Sequence, residues 1–410
     1  MHRFRAPLIA CIAALLGCAC TTARTQAADA PPVLLVSIDG FRADFLDRGV
    51  TPNLSQLARE GVRGSMRPSY PSLTFPNHYS MVTGLRPDRH GVVHNNMRDP
   101  LLGMFRASNE SNASDGRWWN GGVPLWVSAA RAGLPTAAMY WPGTQAEIHG
   151  QRPADWRIYD ESVSGDARVD QTLAWLSQPA ATRPRFATLY FEAVDETGHA
   201  YGPDSSEMTA TLSAVDASIG RLRDGLARRG LLDKVNLVIV SDHGVAEVAP
   251  GHVVAIEDMV DAGDVVVHST GQSVGLAPLP GHEAAAERRL LGRHHHYECW
   301  RKSELPARWH YGTHPRVPPI VCQMDEGWDA IFRAEIAKRP SHARGSHGFD
   351  PELPSMRAAF IGHGPAFHAG ARLPVFDNVD VYPLLARLVG VPAEPGDGEI
   401  APLLPALRAP

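Results

Sequence analysis

Long apolar runs are scarce in this 410-residue chain. After the first thirty residues no stretch reaches the roughly 20 apolar residues of a transmembrane helix, which excludes a helical span beyond that point. Positive charge is not in excess either: 39 Lys and Arg stand against 44 Asp and Glu. No basic stripe occurs, so polymeric nucleic acid is not an expected partner, because a phosphate backbone calls for clustered cations. Cysteine is rare, at five residues. There is no internal repeat and no long low-complexity run. Aromatics at 7% and charged residues at 20% are ordinary for a globular chain and unlike a disordered one.

The N-terminus reads as an export signal over residues 1–30. Arg3 and Arg5 precede an apolar run from Pro7 to Gly17 that is too short to span a bilayer. Cleavage near Ala27 to Ala30 would release a periplasmic protein. Alternatively, Leu15-Leu16-Gly17-Cys18 resembles a lipoprotein cleavage box, and lipidation of Cys18 would tether the chain to the outer membrane. Leu16 stands where that box prefers a small residue, so membrane contact is expected only if Cys18 is lipidated. The segment carries Arg3, Arg5 and Arg24 against Asp29, a net +2, so its removal takes the charge from −5 to −7. Three cysteines, Cys11, Cys18 and Cys20, leave with it. Cys299 and Cys322 remain, and in an oxidising compartment a disulfide between them is expected to stabilise by about 3 kcal/mol.

Residues 31–410 read as one catalytic domain of α/β class, with a mostly parallel central sheet and helices on both faces. Short β-rich runs alternate with helical patterns. Val33 to Ile38 is an unalternated apolar strand, as expected when both faces are covered. A helix follows with Thr51 as its cap, Pro52 first and Gly61 just past its end. Phe186 to Phe191 and Val235 to Val240 read as further strands, with an amphipathic helix from Ser205 to Arg229 between them. Met356 to Ile361 reads as a late strand and Asn378 to Val389 as a late helix. Ala107 to Gly122, rich in Ser, Asn and Gly, reads as a loop. Residues from about 265 to 340 depart from the rhythm and read as an inserted subdomain or loop region.

Three of the strands run into an aspartate: Asp39, Asp195 and Asp242. Ligands of open α/β sheets bind beyond the carboxyl ends of strands. One such Asp is usually a helix cap, but three on one edge repel one another unless a cation lies among them. Asp195 has His199 four residues on, Asp242 has His243 next to it, and His347 sits between glycines. Mixed Asp and His sets suit Zn²⁺. In Ser72-Leu73-Thr74-Phe75-Pro76-Asn77-His78, Pro76 and the periodicity after it place Thr74 at a helix start, where an anionic oxygen is favoured.

With these stretches in view, together with His90-Gly91-Val92-Val93-His94-Asn95-Asn96, Trp141-Pro142-Gly143 and Ser346-His347-Gly348-Phe349-Asp350, the chain resembles a bacterial member of the nucleotide pyrophosphatase/phosphodiesterase family of the alkaline phosphatase superfamily. The resemblance implies two Zn²⁺ per chain, one held by Asp195, His199 and His347 and the other by Asp39, Asp242 and His243, with Thr74 on the second as nucleophile. It implies that Asn95 binds a phosphate oxygen and that Phe75 and Tyr190 sandwich a nucleobase. The implied activity is hydrolysis of nucleoside triphosphates and phosphodiesters to 5′-mononucleotides through a covalent phosphothreonine, by a protein expected to act as a monomer on small molecules. The alternative is a phospholipid- or choline-phosphate diesterase of the same superfamily. Lipid-acting relatives lack part of the segment after Asn95, and Leu101 to Gly122 is present here. His78 and His94 lie close to the candidate residues, and His294-His295-His296 reads as an exposed loop.

Overall fold

The computed structural model describes residues 30–409. The export signal and Cys18 therefore lie outside the described residues, apart from Ala30. A nine-stranded sheet forms the centre. Its path runs Ala371–Arg372, Val62–Arg67, Ala358–His363, Asn236–Val240, Val33–Ile38, Phe186–Phe191, Thr136–Met139 and Asp155–Trp156, with Phe376–Asp377 also pairing with Val62–Arg67. Only Ala358–His363 runs against its neighbours, so the sheet is mixed but mostly parallel.

Each face of the sheet has its own core. Val33 and Leu35 point to one face, where they join a cluster with Tyr79, Trp126 and Leu385. Leu34, Val36 and Ile38 point to the other and meet Leu54, Leu57, Leu173 and Leu212. Five apolar residues of one fully buried strand contribute on the order of 10 kcal/mol of apolar burial before the entropy of ordering is subtracted. Covering both faces is what makes this strand read as apolar throughout.

Most of the sequence-derived elements appear near their expected bounds. The helix Pro52–Glu60 lies between Thr51 and Gly61, although the Thr51 hydroxyl makes no capping bond. The long helix is Ser206–Arg228, capped by the Ser205 side chain accepting from the Met208 N–H. Two expectations need correction. Ala107 to Gly122 holds two short helical turns, Glu110–Ala113 and Gly116–Trp118. The Asn109 and Asp115 side chains, which read as loop formers, accept hydrogen bonds from the N–H groups that open these turns. The late strand starts two residues later than expected, at Ala358, because Pro354–Met356 forms a 3₁₀ turn.

The region from residue 265 contains a five-stranded antiparallel sheet in the order Val265–Ser269, Ser273–Pro278, Ile320–Met324, Tyr297–Arg301, Gly292–Arg293. Val274, Leu276, Ile320, Cys299 and Cys322 pack in a third core that also takes in Phe349. Cys299 and Cys322 face each other across the ladder and form a disulfide. His294 to His296 occupy the turn before Tyr297–Arg301. His294 Nε2 lies 2.7 Å from the Leu290 carbonyl, and the His296 ring stacks on Trp328. Among the described residues no helix is long and apolar enough to cross a membrane.

Candidate active site

The central strands deliver their aspartates to one edge. Asp39 follows Ile38 directly, and its N–H donates to the Phe191 carbonyl of the next strand at 2.9 Å. Gly40 then turns with φ +68°, and a Cβ there would lie 3.0 Å from the Asp195 Cα. Both the left-handed backbone and the close approach call for glycine. Asp242 and His243 follow the strand Asn236–Val240. Asp195 and His199 share the helix Ala193–Tyr201, one turn apart on the same face. His347 follows the short strand Arg344–Ser346, which pairs with Ala246–Val248 just past Gly244.

These six side chains converge into two adjoining clusters. In one, the ligand atoms of Asp195, His199 and His347 lie within 4.8 Å of one another. His347 Nε2 is 3.1 Å from His199 Nε2 and 3.5 Å from Asp195 Oδ1. In the other, His243 Nε2 is 2.9 Å from Asp242 Oδ2 and 3.6 Å from Asp39 Oδ1. The clusters touch, since Asp39, Asp195 and His243 also form a group of this size.

His78 approaches the second cluster as well, grouped with Asp39 and Asp242. Its hydrogen bonding argues against ligation. His78 Nδ1 faces the Thr74 carbonyl at 2.9 Å, an acceptor, so the proton is on that nitrogen. The other nitrogen, Nε2, accepts from the Ser37 hydroxyl at 2.8 Å. Both nitrogens are engaged, and His78 braces the helix that begins at Thr74.

The three other histidines are oriented differently. His243 Nδ1 donates to the Gly244 carbonyl at 2.9 Å, His347 Nδ1 to Ser72 at 2.9 Å, and His199 Nδ1 to Gly345 at 3.3 Å. Each therefore turns a lone pair on Nε2 into the site, the usual arrangement for a metal-binding imidazole. Asp39 Oδ1, Asp195 Oδ1 and Asp242 Oδ2 are buried and have no hydrogen-bond partner. Buried carboxylate oxygens facing imidazole lone pairs are costly unless a cation lies among them. The donor set fits a metal.

The titratable groups of the site act strongly on one another. Burial, then the neighbouring Asp242 and Asp195, push Asp39 well above the usual carboxylate range. Burial acts in the same sense on Asp242, but His243 and then His78 hold that carboxyl below the range. His243 gains proton affinity from Asp242 despite its burial. Burial, aided by His243, pushes His347 down to about 3, so its imidazole is neutral and able to ligate.

Thr74 is the first residue of the helix Thr74–Thr83, and Leu73, not Thr74, is the N-cap. The hydroxyl is thus free of a capping role and points into the site, 3.4 Å from His243 Nε2. Asn95 Oδ1 accepts from the Phe75 N–H at 2.9 Å, which leaves the Asn95 amide N–H₂ as its available donor. The Phe75 ring is half-buried against Phe105 and Trp119. Tyr190 has a role the sequence did not suggest: its hydroxyl donates to Asp39 Oδ2 at 2.6 Å. Its ring meets His78 edge-on. Nothing local in the sequence marked this bond, which spans 151 residues. In the sequence His78 showed only as a histidine close to the candidate residues.

A family profile described as type I phosphodiesterase / nucleotide pyrophosphatase matches residues 33–350. The chain belongs to this family. An uncharacterized pyrophosphatase/phosphodiesterase of Schizosaccharomyces pombe is 35% identical over 395 residues, which are 92% of this chain and 80% of that protein. A bis(5′-adenosyl)-triphosphatase of Xenopus laevis is 34% identical, with 90% of this chain and 80% of the relative covered. The human ectonucleotide pyrophosphatase/phosphodiesterase family member 1 is 35% identical, and the match covers 90% of this chain but 41% of that longer protein. Among solved structures, murine ectonucleotide pyrophosphatase/phosphodiesterase 5 superposes with a TM-score of 0.87 at 32% identity, covering 92% of this chain and 100% of the other. That structure is of an inactive variant, in which one threonine is replaced by alanine, in complex with AMP. The family consists of hydrolases, and these relatives come from eukaryotes.

Proposed function

We propose that the chain is a zinc-dependent nucleotide pyrophosphatase/phosphodiesterase. It binds two Zn²⁺, one through Asp195, His199 and His347 and one through Asp39, Asp242, His243 and Thr74. It converts nucleoside triphosphates and phosphodiesters to 5′-mononucleotides. The observation that carries this reading is the convergence of three unpartnered buried carboxylate oxygens and three imidazole lone pairs beside the Thr74 hydroxyl. The AMP complex of an inactive threonine variant of a relative supports it, as does the nucleotide substrate named for the Xenopus protein.

Zn²⁺, when bound, lowers the pKa of hydroxyl groups it holds and neutralises charge on phosphoryl oxygens. Thr74 Oγ1 attacks phosphorus: a Thr74 O–P bond forms and the bond to the departing oxygen breaks. The departing group keeps the electron pair, and the proton of the Thr74 hydroxyl passes to solvent. Water then attacks the same phosphorus, the Thr74 O–P bond breaks, and the threonine hydroxyl is restored. The Asn95 amide supplies a neutral donor to a non-bridging oxygen, which suits a monoanionic diester better than a dianionic monoester. The Phe75 and Tyr190 rings receive the base.

Export is part of the same proposal. Arg3, Arg5 and the apolar run after them form the signal, and the Cys299–Cys322 disulfide suits an oxidising compartment such as the periplasm. The protein acts there as a monomer, free unless Cys18 is lipidated. A substrate panel with chelation and Zn²⁺ add-back tests the activity. Hydrolysis of ATP and aryl nucleotide diesters should vanish with chelator and return with Zn²⁺. Much faster turnover of a lysophospholipid or a choline phosphodiester would replace the nucleotide reading.

A further inference from the structure

The carbonyl that orients His199 is itself held by a buried ion pair. Arg344 Nη1 donates to the Gly345 carbonyl at 2.9 Å, the same oxygen that receives His199 Nδ1. The other arm of the guanidinium contacts Asp329 Oδ2. Asp329 is almost wholly buried. It also meets Arg339 at 3.1 Å, and its other oxygen accepts from the Gln272 side chain. Gln323 Nε2 donates to the Gln272 carbonyl at 3.0 Å and to Gly348 at 3.3 Å, on the far side of His347.

Asp329, Gln272 and Gln323 all belong to the region from residue 265, whereas Arg344, Gly345 and Gly348, which they brace directly or through one another, flank His347. Gly345 lies close against the helix of Asp195 and His199: a Cβ there would be 2.6 Å from the Gly198 carbonyl. Whatever sets the strand Arg344–Ser346 therefore sets both His199 and His347. We infer that Asp329 and Arg344 are positioning residues through which the inserted region fixes the Asp195, His199 and His347 half of the site and so its affinity for metal. This rests on the metal reading proposed above. The planar guanidinium can hold Asp329 and the Gly345 carbonyl at once, while an ammonium lacks that fixed fork. Groups that orient metal-binding histidines affect metal affinity by about 10- to 100-fold.

The test is competition between a graded chelator and the zinc-loaded full-length protein, for wild type, Arg344→Lys and Asp329→Asn. Both variants should surrender one of two zincs at about 10- to 100-fold lower chelator strength than wild type. The other zinc should be held as before. Activity lost at limiting zinc should return with excess zinc, with KM for the nucleotide unchanged. An ion pair with only a structural role would instead lower the melting temperature of the metal-free protein and leave both zinc affinities intact, which overturns the inference. Arg344→Lys keeps the charge pair with Asp329 and decides the matter alone if Asp329→Asn does not fold. Wild-type protein that takes up no zinc, or His347→Asn that takes up as much as wild type, would overturn the metal reading itself, a distinguishable result.

Discussion

The two halves of the candidate site are built in opposite ways. Asp242 and His243 have fully buried side chains and Asp39 is 2% exposed; all three come from the ends of adjacent strands in the middle of the sheet. In the other half the His199 side chain is 41% exposed and Asp195 17%. These two come from one turn of a helix, and His347 comes from a strand tied to the inserted region. The buried half gathers charge where water cannot screen it, so it needs a cation for its own stability. The open half has solvent on one side, so it can exchange ligands and receive a water molecule. The two-step transfer proposed above would call for both: a fixed nucleophile and an accessible side from which water arrives.

The largest expected effect tests what the halves share. Thr74→Ala should lower turnover by about 10⁴-fold or more, with both metals retained by their remaining ligands. Substantial residual hydrolysis would remove Thr74 from its role as nucleophile. Next, Asp242→Asn and His199→Asn should separate the halves. Each should cost one metal per chain and about 100-fold or more in kcat/KM, a transition-state loss of about 2.7 kcal/mol. Excess zinc should rescue His199→Asn, in the open half, far better than Asp242→Asn. Equal rescue would mean that the two halves do not differ as their burial suggests.

Tyr190→Phe is a milder test of the buried half. It removes one hydrogen bond to a carboxylate, worth about 1.5–3 kcal/mol, and keeps the ring. Steady-state kinetics should show kcat falling about 10-fold with KM for the nucleotide nearly unchanged. A raised KM with unchanged kcat would place Tyr190 in substrate binding alone.

The smallest effect concerns pH in the metal-free protein. Asp39 is raised in the folded state above its ordinary value of 3.8, so the folded state binds this proton more tightly than the unfolded chain. Its contribution is fully present below the ordinary value and is lost as pH rises through the raised one. Metal-free Asp39→Asn should therefore gain stability relative to metal-free wild type as pH climbs from about 4 toward neutrality. Denaturant melts at several pH values measure it, and a flat difference would show that Asp39 is not strained in the empty site.

Most of the core and the residue types of the site were legible in the sequence. Val33 to Ile38 and Phe186 to Phe191 were read with the bounds they have, because strands covered on both faces show as unbroken apolar runs. The turns at Glu110 and Gly116 were missed because Asn109 and Asp115 serve loops and helix caps equally well. The direction of Ala358–His363 was hidden for another reason: its six buried residues read alike in either orientation.

The sequence by itself put Asp39 and Asp242 at the carboxyl edge of the sheet, since strand and strand-end aspartate are local patterns, and the family resemblance added the rest of the set. The sequence also placed Thr74 at a helix start, through Pro76 and the periodicity that follows. Only the tertiary structure decided which nitrogen of His347 and of His199 faces the site, because the carbonyls of Ser72 and Gly345 lie 275 and 146 residues away from the histidines they orient. It alone gave Tyr190 its bond to Asp39, freed the Thr74 hydroxyl from capping, and set the inserted region behind His199 and His347. The physical reason is the range of the forces: propensity and hydrophobic period act over a few residues, while hydrogen-bond direction and charge pairing act between whichever groups the packed chain brings together.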